Sequence, residues 1–281
     1  RRSSDLCQDT PANKVPIKAS LTIRSDLVAM FGGVLENYDD NGDTITYNYV
    51  QKIPIPTYLI AFAAGNIVRK KVSDKIYVLT EPEKLEAVYE EFSESGAYFT
   101  KAQEYMFDYE WGDYNILVLP PAFPYGGMEN PNLTFATPSL IAGDKSLVNV
   151  IAHELAHSWT GNLVTNSSWD NFWLNEGFTV FFERKLIQLV FDNDTRKLHS
   201  QIGYADFLRD VNTYPKGSTY TSLYPRVGKN NPDDAFSKVP YEKGFSFLVY
   251  IESLLGKNKF RDFLRKYIKK YAYCSISYIE F

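Results

Sequence analysis

The sequence is poor in the residues that would place it in several specialised classes. Its 281 residues include two cysteines, Cys7 and Cys274, near opposite ends. They form no disulfide framework, zinc ribbon or redox CxxC pair, and read as two thiols in a reducing compartment rather than one long-range disulfide. No apolar run approaches the ~18 residues of a membrane span. The opening Arg1-Arg2-Ser3-Ser4-Asp5 is polar, lacks an initiator Met and has no apolar signal core, so the chain reads as an excerpt from a longer protein. Neither sign of charge dominates. The balance of 30 basic and 34 acidic residues gives a net charge of −4, which argues against a nucleic-acid binder with a broad basic surface. Internal repeats and low-complexity tracts are absent.

What remains is a globular composition. Apolar residues make up 44% and charged residues 23%, which excludes bulk disorder. A chain of this length buries a core without covalent staples. Aromatics reach 16% and read as core and cleft lining.

The first third reads as β-structure. In Val15–Ile23 the residues Val15, Ile17, Ala19, Leu21 and Ile23 alternate with mostly polar ones. Asn41-Gly42 marks a turn, and Ile45, Tyr47 and Tyr49 alternate after it. Pro54 and Pro56 are expected to interrupt, with an apolar run resuming over Tyr58–Ala64. Near residue 80 the period becomes helical. Thr80 and Glu83 fit a capping box ahead of Leu85, Val88, Tyr89 and Phe92. A short strand is expected over Asn115–Leu119, then a Pro/Gly-rich loop over Pro121–Pro131. Helices are expected from Ser146, over Asn171–Phe191, from about Arg196, over Tyr241–Leu255 and over Lys259–Tyr271. The composition change divides a β-rich domain, 1–75, from a mostly helical one, 76–281.

Histidine is scarce too, and its placement is informative. Two of the three histidines fall in His153-Glu154-Leu155-Ala156-His157, an HExxH pattern. On a helix, positions i and i+4 lie on one face, so both imidazoles can share one metal ion. Glu154 can face water on that metal. Catalytic zinc takes three protein ligands and keeps one position open. Glu176 fits as the third, nineteen residues after His157 on the next expected helix. These residues point to one Zn²⁺ per chain, held by His153, His157 and Glu176. His199 reads as a core or surface residue.

Tyr125-Gly126-Gly127-Met128-Glu129-Asn130, then HExxH, eighteen residues and Glu, resembles the M1 zinc aminopeptidases. The run His153–Thr165 (HELAHSWTGNLVT) is most similar to the branch of leukotriene A4 hydrolase and its aminopeptidase relatives. Pro121–Phe135, Trp169–Glu183 and Pro240–Phe245 agree with it as well. The resemblance implies an α+β fold: part of a β-rich N-terminal saddle domain, then a thermolysin-like, mostly helical zinc metallopeptidase domain, with a C-terminal helical domain absent. It implies removal of N-terminal residues from peptides by zinc-activated water, with Glu154 as general base and Tyr241 stabilising the oxyanion. Gly126, Gly127, Met128 and Glu129 would bind substrate, Glu129 taking the free α-amine. Asp233 matches an acid beside the branch's lipid cleft, which brings in a lipid epoxide as a second substrate. Phe236 departs from the branch, which carries tyrosine there, and this weakens the match to a true leukotriene hydrolase.

Other readings stay open on the residues. An inactive zinc-binding fragment could serve as an interaction module. A thermolysin-type endopeptidase is disfavoured by Glu129. Glu183, two helical turns after Glu176, suits either a role orienting a ligand imidazole or a surface ion pair. Sequons at Asn132, Asn166 and Asn193 would suit a secreted protein, but the few cysteines favour the cytoplasm.

Overall fold

A computed structural model describes residues 7–228 and 230–281; the polar stretch Arg1–Asp5 lies outside them. The chain divides into two compact units. One comprises Lys14–Thr100 and Asp108–Ser158; the other comprises the described residues up to Asn13, Lys101–Phe107 and Trp159–Phe281.

The first unit opens with β1 (Lys14–Arg24), β2 (Val28–Phe31), β3 (Val34–Asp40) and β4 (Thr44–Pro56). β1, β4 and β3 form one antiparallel sheet in that order. The alternation read from the sequence holds for Ile17, Ala19, Leu21 and Ile23, which are half-buried. Val15 leaves that face and is exposed, because the register shifts between Val15 and Ile17. The same irregularity accommodates Pro54. β4 continues through it, since at a bulge the missing N–H costs no ladder bond, and ends at Pro56, opposite Lys14. Asn41-Gly42 makes the turn between β3 and β4: Asp40 Oδ1 accepts from Gly42 N–H at 2.9 Å, and Thr44 C=O from Asn41 N–H at 2.9 Å. The apolar stretch from Tyr58 is not one continuous strand. It divides into a 3-10 turn, Thr57–Leu59, and β5 (Phe62–Gly65), which pairs with β2.

β6 (Val68–Ser73), β7 (Ile76–Thr80), α1 (Leu85–Phe92), α2 (Ser95–Tyr105), β8 (Tyr114–Val118), β9 (Gly127–Met128), β10 (Thr134–Ala136) and α3 (Asn149–Ala156) follow. The sheet order is β6-β7-β8-β10-β9, parallel along β7-β8-β10 and antiparallel at both edges. Its central strand β8 is buried along its whole length, as a strand covered on both faces should be. The capping box at Thr80 does not form. Thr80 is drawn into β7 and its hydroxyl donates to Val118 C=O at 3.4 Å, while Pro82–Lys84 make a 3-10 turn into α1. Strand pairing has taken the residue that the helix would have used.

The second unit contains β11 (Thr165–Asn166), α4 (Trp173–Val190), α5 (Asn193–Val211), α6 (Gly244–Leu255), α7 (Lys257–Tyr271) and β12 (Ser275–Ile276). β11 and β12 pair in parallel. α4 is buried on every side from Trp173 to Ile187, the behaviour of a central helix. α5 is capped by Asp192, whose carboxylate accepts from Thr195 N–H at 2.7 Å. Among the described residues, no helix is long and apolar enough to cross a membrane.

Candidate functional site

His153 and Glu154 ride on α3, and His157 follows it with helical dihedrals. His157 N–H bonds to His153 C=O at 3.1 Å, so the i, i+4 geometry persists past the last regular turn. Ile151 and Leu155 are buried and anchor the opposite face of the helix. Both imidazoles therefore aim the same way, and their Nε2 atoms stand 3.1 Å apart. Two nitrogens bound to a tetrahedral zinc at 2.0–2.1 Å would lie about 3.3 Å apart. The pair thus fits one ion shared between them.

Two carboxylates stand beside the imidazoles in the same unit. Glu129 Oε1 is 3.9 Å from His157 Nδ1. One oxygen of Glu129, one of Glu154 and one nitrogen of His157 all lie within 4.8 Å of one another, and all three residues are buried. Two buried carboxylates beside an imidazole offer their oxygens to a positively charged group. A divalent cation and a substrate ammonium are both such groups.

β9 gives this cluster its floor. It is an edge strand, with Phe135 opposite Met128 and Ala136 opposite Gly127. Gly126 C=O accepts from Thr137 N–H at 3.0 Å. A Cβ on Gly127 would collide with the Glu154 side chain where it now lies, so the glycine lets the two approach closely. Met128 is half-buried and Gly126 exposed, which leaves this backbone reachable. Glu154 also reaches a buried tyrosine electrostatically. Burial, with the Glu154 charge adding to it, raises the Tyr114 phenol well above its ordinary value.

The loop following Glu129 is fastened by Asn132. This residue has φ 63°, in the left-handed region that asparagine tolerates better than most. Its side-chain N–H₂ donates to Trp111 C=O and Asp113 C=O, and its Oδ1 accepts from Gln51 Nε2 at 2.9 Å. Its own C=O accepts from Asn115 Nδ2 at 2.8 Å. The sequon reading of Asn132 fails on this burial. Asn166 fails likewise, being fully buried with Nδ2 donating to Ser168 C=O. Of the three, Asn193 alone is exposed.

The remaining candidates belong to the second unit. Glu176 is buried in the first turn of α4. Its neighbours hold that turn: Asn175 Oδ1 accepts from Asn166 N–H at 2.8 Å, and Gly177 packs on Gly244. Tyr241 lies in a π-helical turn, Val239–Lys243, that leads into α6. Its ring stands edge-on to Phe172 (6.0 Å, 89°) and Phe236 (6.2 Å, 88°). Asp233 is exposed in a 3-10 turn, Pro232–Ala235, whose start is capped by Asn231. Glu183 is buried rather than a surface acid. It acts on His199, whose pKa is lowered by burial and partly restored by the Glu183 charge.

Sequence reasoning passed over two residues here, Arg184 and Glu242. They form a buried bidentate pair in the second unit, Nη1–Oε2 2.8 Å and Nη2–Oε1 2.6 Å. The available signal was charge in otherwise apolar stretches, which gives no partner.

A family model described as the Peptidase family M1 domain matches residues 90–281. Leucine aminopeptidase 2 of Candida glabrata is 45% identical over 278 residues, covering 98% of this chain and 42% of the relative. Leukotriene A-4 hydrolase of Xenopus laevis is 43% identical over 281 residues, covering 98% and 46%. Among solved structures, yeast LTA4 hydrolase in complex with bestatin matches with a TM-score of 0.92 at 43% identity, over 98% of this chain and 43% of that one. An M1 zinc metallopeptidase from Deinococcus radiodurans matches at 0.76 and 20% identity, over 98% and 61%, and so shows the fold alone. The chain spans less than half the length of the Candida, Xenopus and yeast proteins.

Proposed function

The chain belongs to peptidase family M1, and from that premise we propose that it carries the catalytic centre of a zinc aminopeptidase. The observation that carries this reading is the 3.1 Å approach of the His153 and His157 Nε2 atoms, with the Glu129 and Glu154 carboxylates beside them. His153, His157 and Glu176 would hold one zinc, the spacing of Glu176 after HExxH supporting it as third ligand. Residues 1–75 would be part of the N-terminal domain and 76–281 the catalytic domain.

Zinc, when bound, would polarise the scissile carbonyl and acidify an attacking water. The chain's own groups do the rest. Glu154 takes the proton from the water at its carboxylate and returns it to the leaving amine. The Tyr241 hydroxyl donates to the oxygen that gains negative charge. Glu129 pairs with the ammonium of a free N-terminus. A carboxylate fixed beside the metal accepts that ammonium and has nothing to offer an acylated terminus, so the site is an exopeptidase's. Gly126, Gly127 and Met128 offer an open strand edge on which an extended peptide can lie.

Peptides with a free N-terminus are thus the proposed substrates and the cytoplasm the proposed location. A lipid epoxide is a second proposed substrate, favoured by the name of the Xenopus relative, with Asp233 as the acid that would line its path. Phe236 in place of the branch's tyrosine counts against it. Zinc content of the wild type, His153→Ala and His157→Ala tests the main reading. About one equivalent is expected in the first and a loss in both variants; unchanged zinc in the variants would overturn it.

A further inference from the structure

The buried pair Arg184–Glu242 has no part in the chemistry above, yet it ends one residue from Tyr241. Arg184 is on α4, eight residues after Glu176. Glu242 sits in the π-helical turn beside Tyr241. Their side chains are only 5% and 9% exposed, so the pair is out of water. Two parallel N–H···O bonds of 2.6 and 2.8 Å fix the relative orientation of guanidinium and carboxylate as well as their distance. The guanidinium also stacks over the Phe245 ring, 4.2 Å from its centroid. From the third side α5 closes down at Gly203, where a Cβ would strike both Arg184 and Glu242. Four elements therefore converge on one ion pair.

A π-helical turn needs such a tie. Its i→i+5 pattern is rarer than the α-helical one and occurs frequently at functional sites. Pro240 removes one further backbone donor from the same turn. The Tyr241 ring packs edge-on against Phe172 and Phe236, with Lys238 Nζ 5.4 Å from its centroid, so where these contacts fall depends on the backbone of the turn.

We propose that Arg184 and Glu242 are positioning residues for Tyr241: their buried ion pair fixes the turn that carries the tyrosine onto the helix that carries Glu176. The proposal rests on the oxyanion role given to Tyr241 above. It predicts that loosening the pair lowers kcat rather than raising KM, because the misplaced hydroxyl is needed in the transition state more than in the ground state.

The test is a double-mutant cycle on the full-length, zinc-loaded enzyme, combining Glu242→Gln and Arg184→Lys with Tyr241→Phe. With Tyr241 present, each substitution should lower kcat about tenfold or more at near-constant KM and zinc content, in line with the ~10² cost of an ångström of misplacement. In the Tyr241→Phe background the same substitutions should change kcat less than twofold, because the group they position is gone. Equal losses in both backgrounds would overturn the positioning role while leaving Tyr241 catalytic. A wild-type rate for Tyr241→Phe alone would overturn the oxyanion reading and this proposal with it. Should the single substitutions fail to fold, Arg184→Met with Glu242→Leu removes both charges together, which buried pairs tolerate. That protein should fold and show the same kcat loss; a folded double variant with wild-type kcat overturns the proposal.

Discussion

Gly177 and Gly244 meet face to face: a Cβ added to either would lie 2.7 Å from the Cα of the other. Gly177 follows Glu176 on α4, and Gly244 follows the turn of Tyr241 at the start of α6. The two helices cross at the one height where neither has a side chain. The obstacle is backbone, which cannot swing aside as a flexible side chain would.

Gly177→Ala and Gly244→Ala should therefore each destabilise, although alanine is the better helix former by ~1 kcal/mol. Overpacking at such a contact costs ~1–3 kcal/mol. Thermal or denaturant unfolding checks this, and a midpoint equal to or above wild type in either variant would count against the crossing.

Glu154→Gln keeps the side chain's size and its fit over Gly127 while removing its basicity. Zinc content should be unchanged and peptide turnover should fall by at least ~10². Near-normal turnover at full zinc occupancy would mean that another group takes the proton.

Glu129→Ala should leave zinc in place and cost one to two decades in kcat/KM, from the loss of a charge-assisted contact worth ~1.5–3 kcal/mol. The same variant should lose its preference for a free terminus. Comparing a peptide with its N-acetylated twin reads this; a wild-type enzyme that cleaves both equally would contradict the amine-binding role.

Glycan placement separates the three sequons. Expressed through a glycosylating secretory pathway, the folded protein should carry a glycan at Asn193 and none at Asn132 or Asn166, which are buried and hydrogen-bonded. Peptide mapping by mass spectrometry decides, and occupancy of Asn132 in active protein would contradict its anchoring of the Glu129 loop.

Much of the candidate site was legible because its signals are local. HExxH needs only one helix for its two imidazoles to converge, and α3 supplies it. The GGMEN run carries its own reason, since Gly127 makes room for Glu154. The β-rich opening and the helix positions from residue 146 onward were legible from periodicity. Where the reading failed, a distant partner had intervened. Thr80 has the residue type of a helix cap, but β7 claims it: it pairs with Val68 of β6 and its hydroxyl donates to Val118 of β8. Pro54 has the residue type of a strand breaker, but a shift in register with β1 accommodates it, and Pro56 stands at the strand's end. Arg184 and Glu242 are 58 residues apart, and no local pattern joins them.

The central claim is that metal-dependent peptide cleavage resides in the residues around His153 and His157. The most direct measurement is the hydrolysis rate of a fluorogenic aminoacyl substrate by the full-length protein before chelation, after it, and after zinc is restored. The account predicts turnover that vanishes on chelation and returns with about one equivalent of zinc per chain. Turnover that survives complete removal of metal would contradict it.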